Sequence, residues 1–276
     1  MPGIRLEHVS FSYPNGFLAV EDIDITISQG EKVAILGQNG AGKTTTVKMM
    51  NNLCAPTKGD VWVGEKNTKK YTTAQISHDV GYVFQNPDDQ IFHSTVYNEV
   101  EFGPKASLNL SEEEVKQRTE DALRVTGLYE ERHNNPYNLP LSIRKFVTIA
   151  SVLAVNNEVM ILDEPTAGQD LRGINMLSSL VETMCDQGKT IITITHDIEF
   201  AVKNFDRIIL MANKHVIKDR TVKEVFSDSE ALKEAMLRKP YAGRMAQHFN
   251  LSSTVLSDDE VVDELMKKYN NKNRME

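Results

Sequence analysis

The chain has only two cysteines in 276 residues, Cys54 and Cys185, too few and too far apart for a metal knuckle or a disulfide framework. Free cysteine packs as a small hydrophobe. Both are read as core or near-core residues of a protein from a reducing, cytosolic compartment. Nowhere is there the run of roughly 18 apolar residues that a bilayer-spanning helix needs. The start, MPGIRLE, lacks the basic region and apolar core of a signal peptide. Any tie to a membrane must then run through a partner. Positive charge is short too: 31 Lys and Arg face 39 Asp and Glu, a formal charge of −8, which argues against nucleic acid as a partner. No internal repeat or low-complexity tract interrupts the chain. What remains, 40% hydrophobic and 25% charged residues, suits a globular protein with a substantial core.

Two periodicities organise the chain. Ile4 to Val9 and Ile23 to Ile27 alternate apolar with polar residues, the pattern of half-buried strands. Pro14-Asn15-Gly16 marks a turn between them. Short, nearly continuous apolar runs at Lys32 to Leu36, Val159 to Leu162 and Thr190 to Thr195 read instead as strands covered on both faces. Val61-Trp62-Val63 is a further strand, after a Pro-Thr-Lys-Gly-Asp turn. Helices are expected over Lys43 to Leu53, from Ser111 to about Gly127 and from about Ser142 to Val155. Ser111 with Glu114 has capping-box spacing. Strands alternating with helices indicate an α/β fold with a mainly parallel sheet. From about Ser227 the sequence turns helical and highly charged, with a polar, frayed end at Asn270 to Glu276.

Residues 37–44, GQNGAGKT, fit G-x-x-x-x-G-K-[ST] at every position, between a buried strand and a helix. Glycines 37, 40 and 42 let the backbone wrap so that N–H groups face phosphate oxygens, and the helix start adds positive potential. Lys43 is expected to reach the β- and γ-phosphates, and Thr44 to hold Mg²⁺. The run Val159 to Leu162 ends in Asp163-Glu164, which places two acids at the sheet edge where ligands bind. Asp163 suits Mg²⁺, and Glu164 can orient or deprotonate an attacking water. His196 follows a third such strand and is read as a sensor of the γ-phosphate.

Together these residues resemble the ABC ATPase family, over nearly the whole chain. The fold implied is a P-loop NTPase with a mainly parallel core sheet, an N-terminal antiparallel β subdomain and an α-helical subdomain. The ATPase domain is expected over residues 1–235, with its helical part at about 88–155, and a helical appendage over 236–276. Gln85, in Tyr82-Val83-Phe84-Gln85-Asn86-Pro87, looks like the Q-loop glutamine that contacts Mg²⁺ or the attacking water and senses a transmembrane partner. Tyr13 matches the aromatic that stacks on adenine. Asp170, in Ala167-Gly168-Gln169-Asp170, looks like the D-loop aspartate that acts across a dimer. The resemblance thus implies a nucleotide site of Tyr13, Gly37, Gln38, Asn39, Gly40, Ala41, Gly42, Lys43, Thr44, Thr45, Asp163 and Asp170. Glu164, His196 and Gln85 would serve catalysis, and Thr44, Gln85 and Asp163 would hold Mg²⁺.

Within the family, Phe84 to Phe92 and Glu99 to Lys105 are most similar to energy-coupling-factor (ECF) and cobalt-importer ATPases. Asp88 and Asp89 are then expected to meet arginines of a membrane scaffold. One departure is large. Where the family has Leu-Ser-Gly-Gly-Gln, which caps the γ-phosphate on the opposite subunit, this chain has Leu139-Pro140-Leu141-Ser142-Ile143. Pro140 offers neither hydroxyl nor N–H, and Leu141 brings bulk where glycine allows close approach. The expectation is an ATP-hydrolysing subunit of a micronutrient importer, peripheral at the cytoplasmic face of the cell membrane. It would pair with a non-identical cassette of intact signature and with transmembrane coupling and substrate-binding subunits. The alternatives are an ATP-binding regulatory subunit, a soluble non-transport cassette and, more remotely, a small-molecule P-loop kinase.

Overall fold

A computed structural model describes residues 2–106 and 110–272. The chain opens with β1 (Pro2–Ser12), β2 (Leu18–Ser28) and β3 (Lys32–Gly37), then α1 (Lys43–Met50), β4 (Lys58–Val63) and β5 (Lys66–Asn67). A one-turn helix α2 (Thr73–Ile76) leads to β6 (Val80–Val83). Three helices follow without a strand between them: α3 (Val96–Ala106), α4 (Glu112–Val125) and α5 (Leu141–Val155). The chain then alternates through β7 (Val159–Asp163), α6 (Leu171–Asp186), β8 (Thr190–Ile194), α7 (Ile198–Asn204), β9 (Arg207–Ala212) and β10 (His215–Thr221). It closes with α8 (Val222–Ser227), α9 (Ser229–Glu234), α10 (Tyr241–His248) and α11 (Asp258–Lys272).

Two sheets result. An antiparallel one runs β2-β1-β4-β5, and a larger one runs β10-β9-β3-β8-β7-β6. In the larger sheet β9, β3, β8, β7 and β6 are parallel, and β10 is antiparallel at the edge. The continuous apolar runs have their explanation here, because both faces of this sheet are covered. Along β3, Val33 and Ile35 face the antiparallel sheet, whereas Ala34 and Leu36 face the helices. β7 divides the same way: Val159 and Ile161 on one side, Met160 and Leu162 on the other.

Local signals set the helix ends. Ser111 and Glu114 form the expected reciprocal capping box at α4. The helix expected to reach Leu53 stops at Met50. Asn52 there adopts φ 60°, and the N–H groups of Leu53 and Cys54 fold back on the Lys48 carbonyl, a left-handed termination open to asparagine. Of the expected frayed end at Asn270 to Glu276, residues 270–272 continue α11, and the rest lies outside the described residues. The last helices keep a small core of their own, Ala242, Ala246, Val255 and Val261. Tyr241 N–H donates to Glu199 Oε1 and Lys223 pairs with Glu260, tying that core to the main body.

Candidate nucleotide site

Four neighbouring parallel strands end at one edge of the sheet. Their register places Ile35 beside Ile194, Asp163 beside Ile194, and Val83 beside Leu162. The residues that follow are therefore gathered together: the loop after Gly37, Asp163-Glu164, Thr195-His196, and Phe84-Gln85. This is the carboxyl edge of a parallel sheet, where crevices form as connections leave in different directions. A pocket of about 260 Å³ opens there, lined by Tyr13, Asn39, Gly40, Gly42, Lys43, Thr44, Thr45, Gln85, Glu164 and His196, with Phe17 and Ala19.

The loop can be wound so tightly only with glycine. Gly42 has φ 99°, and a Cβ there would stand 2.6 Å from the Ala19 carbonyl; a Cβ on Gly37 would strike the Met211 carbonyl. Ala41 is buried beneath the loop. Lys43 is almost fully buried, and its Nζ donates to the carbonyls of Gly37 (2.7 Å) and Gln38 (3.0 Å). Two of the three ammonium donors thus fix the head, and the third can face the pocket. Burial lowers its pKa, while Glu164 and Asp163 pull the other way. Tyr13 reaches over the loop, with its hydroxyl 3.1 Å from Thr45 Oγ1 and its ring stacked on Phe17 at 6.3 Å between centroids.

The two carboxylates differ in their partners. Asp163 Oδ2 accepts from the Tyr82 hydroxyl at 2.7 Å, but its buried Oδ1 has no partner among the described residues. Glu164 Oε2 accepts from the backbone N–H of residue 196 at 3.1 Å, and its Oε1 lies 3.2 Å from the His196 Nε2. Burial pushes both carboxyl groups above their usual range. Burial, helped by the Lys43 charge, pushes the His196 imidazole down, so it is neutral near pH 7. The arrangement places a cation and a base aligned by histidine around one cavity, with a free carboxylate oxygen on the residue before that base, which suits phosphoanhydride hydrolysis.

The profile of the ABC transporter family matches residues 20–167. The chain belongs to that family. This cassette is an ATP-hydrolysing enzyme of the P-loop type, and ATP is its nucleotide. The energy-coupling factor transporter ATP-binding protein EcfA of Methanocaldococcus jannaschii is 37% identical over 254 residues, 91% of either chain. The structure of CbiO1 from Clostridium perfringens, part of the ABC transporter complex CbiONQ, matches with a TM-score of 0.76 at 32% identity, covering 91% of this chain and 99% of that one. The ATP-binding cassette MJ0796, a dimer in a post-hydrolysis state bound to ADP and Pi, matches at 0.72 and 26% identity, over 79% of this cassette and 98% of that chain.

Of the expected nucleotide residues, Gly37, Gln38, Ala41 and Asp163 are not among those lining the pocket, and two further positions lie elsewhere. Asp170 does not line the pocket: it caps α6, accepting from Gly173 N–H at 2.8 Å, and borders a separate cleft with Leu139, Pro140 and Ser142. Asp88, expected to await a partner's arginine, is taken by Arg144 of its own chain at 2.5 Å. Asp89 is exposed. Three residues escaped the sequence reading. Phe17 forms a second aromatic wall, Tyr82 holds Asp163, and Lys145 donates to the carbonyls of Phe84, at 3.1 Å, and Gln85. Only Lys145 left a trace, a second cation directly after Arg144 in an otherwise largely apolar helix.

Proposed function

We propose that this cassette powers the import of a micronutrient, a vitamin or a transition-metal ion, as one member of an unequal pair. The observation that carries the pairing is the contrast between its two ends. The P-loop, Glu164 and His196 border one pocket, with Asp163 next in the chain to Glu164, but the head of α5 offers little to a second nucleotide. Pro140 stands at its N-cap without a side-chain hydrogen bond, and Leu141 and Ile143 are 52% and 36% exposed. Such a head supplies neither the serine hydroxyl nor the glycine backbone that would cap a γ-phosphate bound by the partner. The partner's signature would complete the site described here.

Mg²⁺ fits the donor set. Among the described residues Asp163 Oδ1 is buried without a partner, and Thr44 and Gln85 border the nucleotide pocket. All three are hard oxygen donors, as Mg²⁺ prefers. The ion would neutralise phosphate charge, while Glu164, held by residue 196, orients and deprotonates water. The importer reading draws on the EcfA and CbiO1 relatives and on a groove of about 490 Å³ beside the Gln85 segment, whose lining includes Leu53, Phe84, Phe102, Val152 and Val155. Its apolar lining suits a helix of a membrane partner. Among the described residues no helix is long and apolar enough to cross a membrane.

The test is Glu164→Gln in the assembly purified from membranes in mild detergent. Loss of ATP-driven uptake, with MgATP binding retained, is the expected result. Undiminished uptake would favour the second reading that Pro140 and Leu141 invite, a regulatory subunit that binds ATP but leaves hydrolysis to its partner. A chain that purifies alone under every condition would sink the importer reading.

A further inference from the structure

The head of α5 holds the chain after β6 unusually firmly. Lys145 is 2% exposed, and its ammonium donates to two successive carbonyls, those of Phe84 and Gln85. Its neighbour Arg144 binds Asp88 through Nη1 and the carbonyls of Tyr137 and Leu139 through Nη2, both at 3.1 Å. Gln90 completes the strap. Its Oε1 accepts from the Phe84 N–H at 3.0 Å, and its amide turns back to α5 at Thr148 and Ser151.

These bonds have a geometric consequence. Peptide units are planar, so the backbone has only two soft dihedrals per residue. Holding the carbonyl oxygens of residues 84 and 85 fixes the peptide planes on both sides of the Gln85 Cα. That in turn fixes the direction of its Cβ. Gln85 itself is exposed and borders the nucleotide pocket, and among the described residues its side chain has no hydrogen bond to secure its aim. Lysine suits such a post, because its four-carbon stem reaches from the first turns of α5 and its three donors serve two acceptors. It also brings a positive charge near Asp163 and Glu164, opposing the burial that depresses its own pKa to about 8.

We propose that Lys145 is a positioning residue for ATP hydrolysis: it sets where the Gln85 amide stands relative to Asp163 and Glu164, and makes α5 and the Gln85 segment move as one body. α5 is gripped on its other side as well, where Gln169 Nε2 donates to the Ser142 carbonyl at 3.0 Å. A shift of this helix therefore reaches both loops flanking the pocket. The proposal rests on the ATPase activity alone and not on the importer reading.

Its test compares Lys145→Met with Lys145→Arg in whichever assembly, of two like or two unlike cassettes, turns over ATP. The methionine variant is expected to lower kcat 10- to 100-fold, about the effect of losing an outer-shell support, with KM for ATP changed less than about threefold. Arginine, which keeps charge and donors, should recover most of the lost rate. Amide exchange in the chain alone should quicken about tenfold over residues 84–90 in the methionine variant and stay unchanged over β8, in keeping with a local release. An unchanged kcat, an arginine variant as slow as the methionine one, or protection lost across the whole sheet would each overturn the proposal. Should Lys145→Met fail to fold, Lys145→Gln is read by the same three measures.

Discussion

Placing Leu-Ser-Gly-Gly-Gln at the head of α5 should raise ATP turnover by the cassette alone. The perturbation is Pro140→Ser, Leu141→Gly, Ser142→Gly and Ile143→Gln together. Serine at position 140 gains the cap that α5 lacks, worth about 1 kcal/mol. Two glycines in the first turn cost about 1 kcal/mol each, and trimming the half-exposed Leu141 and Ile143 about 1 kcal/mol apiece. The net loss of about 3 kcal/mol is within the 5–15 kcal/mol by which domains are ordinarily stable, so the variant should fold. Removing one transition-state donor typically lowers a rate about 10²- to 10³-fold. Regaining the hydroxyl and the glycine backbone should therefore raise turnover of the cassette alone by at least 10². The assay is phosphate release as a function of protein concentration, where a pair assembled from like chains gives a rate rising as the square of concentration. Brisk, cooperative turnover by the wild-type cassette alone would refute the reasoning. So would a restored variant that folds, binds MgATP and is no faster.

Two further outcomes follow from the buried groups. Tyr82→Phe removes the one donor to Asp163 among the described residues and leaves both carboxylate oxygens bare; Mg²⁺ dependence of nucleotide turnover should shift to about 10- to 100-fold higher metal, and an unshifted titration would count against Asp163 as the metal's anchor. Lys145 gives a pH signature in unfolding. Burial depresses its pKa from 10.5 to about 8, so between those values the unfolded chain carries more protons than the folded one. The stability of wild type relative to Lys145→Met must then rise with pH above about 8, by at most about 1.4 kcal/mol per unit and about 3 kcal/mol in all. Below about pH 8 the difference is flat. Urea unfolding at pH 7 and pH 10 measures it, and a difference that falls with pH contradicts the buried, charged lysine.

The P-loop was legible because its chemistry is contiguous: eight residues carry the glycines, the lysine and the threonine between a strand and a helix. Asp163, Glu164 and His196 were legible for a related reason, each closing an apolar run that had to be a buried strand. The α/β class followed from the alternation of those runs with helices. Strand order did not, since β3 lies between β8 and β9 through pairings between segments far apart in the chain. The same limit hid Lys145 and Asp88. The carbonyls held by Lys145 lie 61 and 60 residues away, and Asp88 lies 56 from Arg144. Periodicity reports which face of a helix is apolar, and it has no means of saying that a cation on that face meets bare carbonyls. Asp170 caps α6, a use that the sequence did not announce because a position after a loop suits a helix cap as well as it suits an outward-facing acid.

Glu164 stands at φ 49°, a left-handed conformation that glycine and asparagine enter readily and a glutamate does not. Its backbone N–H is tied to the Ile194 carbonyl at 2.9 Å, so the kink belongs to the junction between β7 and β8 and would persist with another residue there. Such strain costs on the order of 1 kcal/mol. Glutamate is thus a poor choice for the backbone it occupies and a good one for the water it would face. Any selection for heat resistance alone would press toward glycine at this position, and so toward a sturdier protein with an idle pocket.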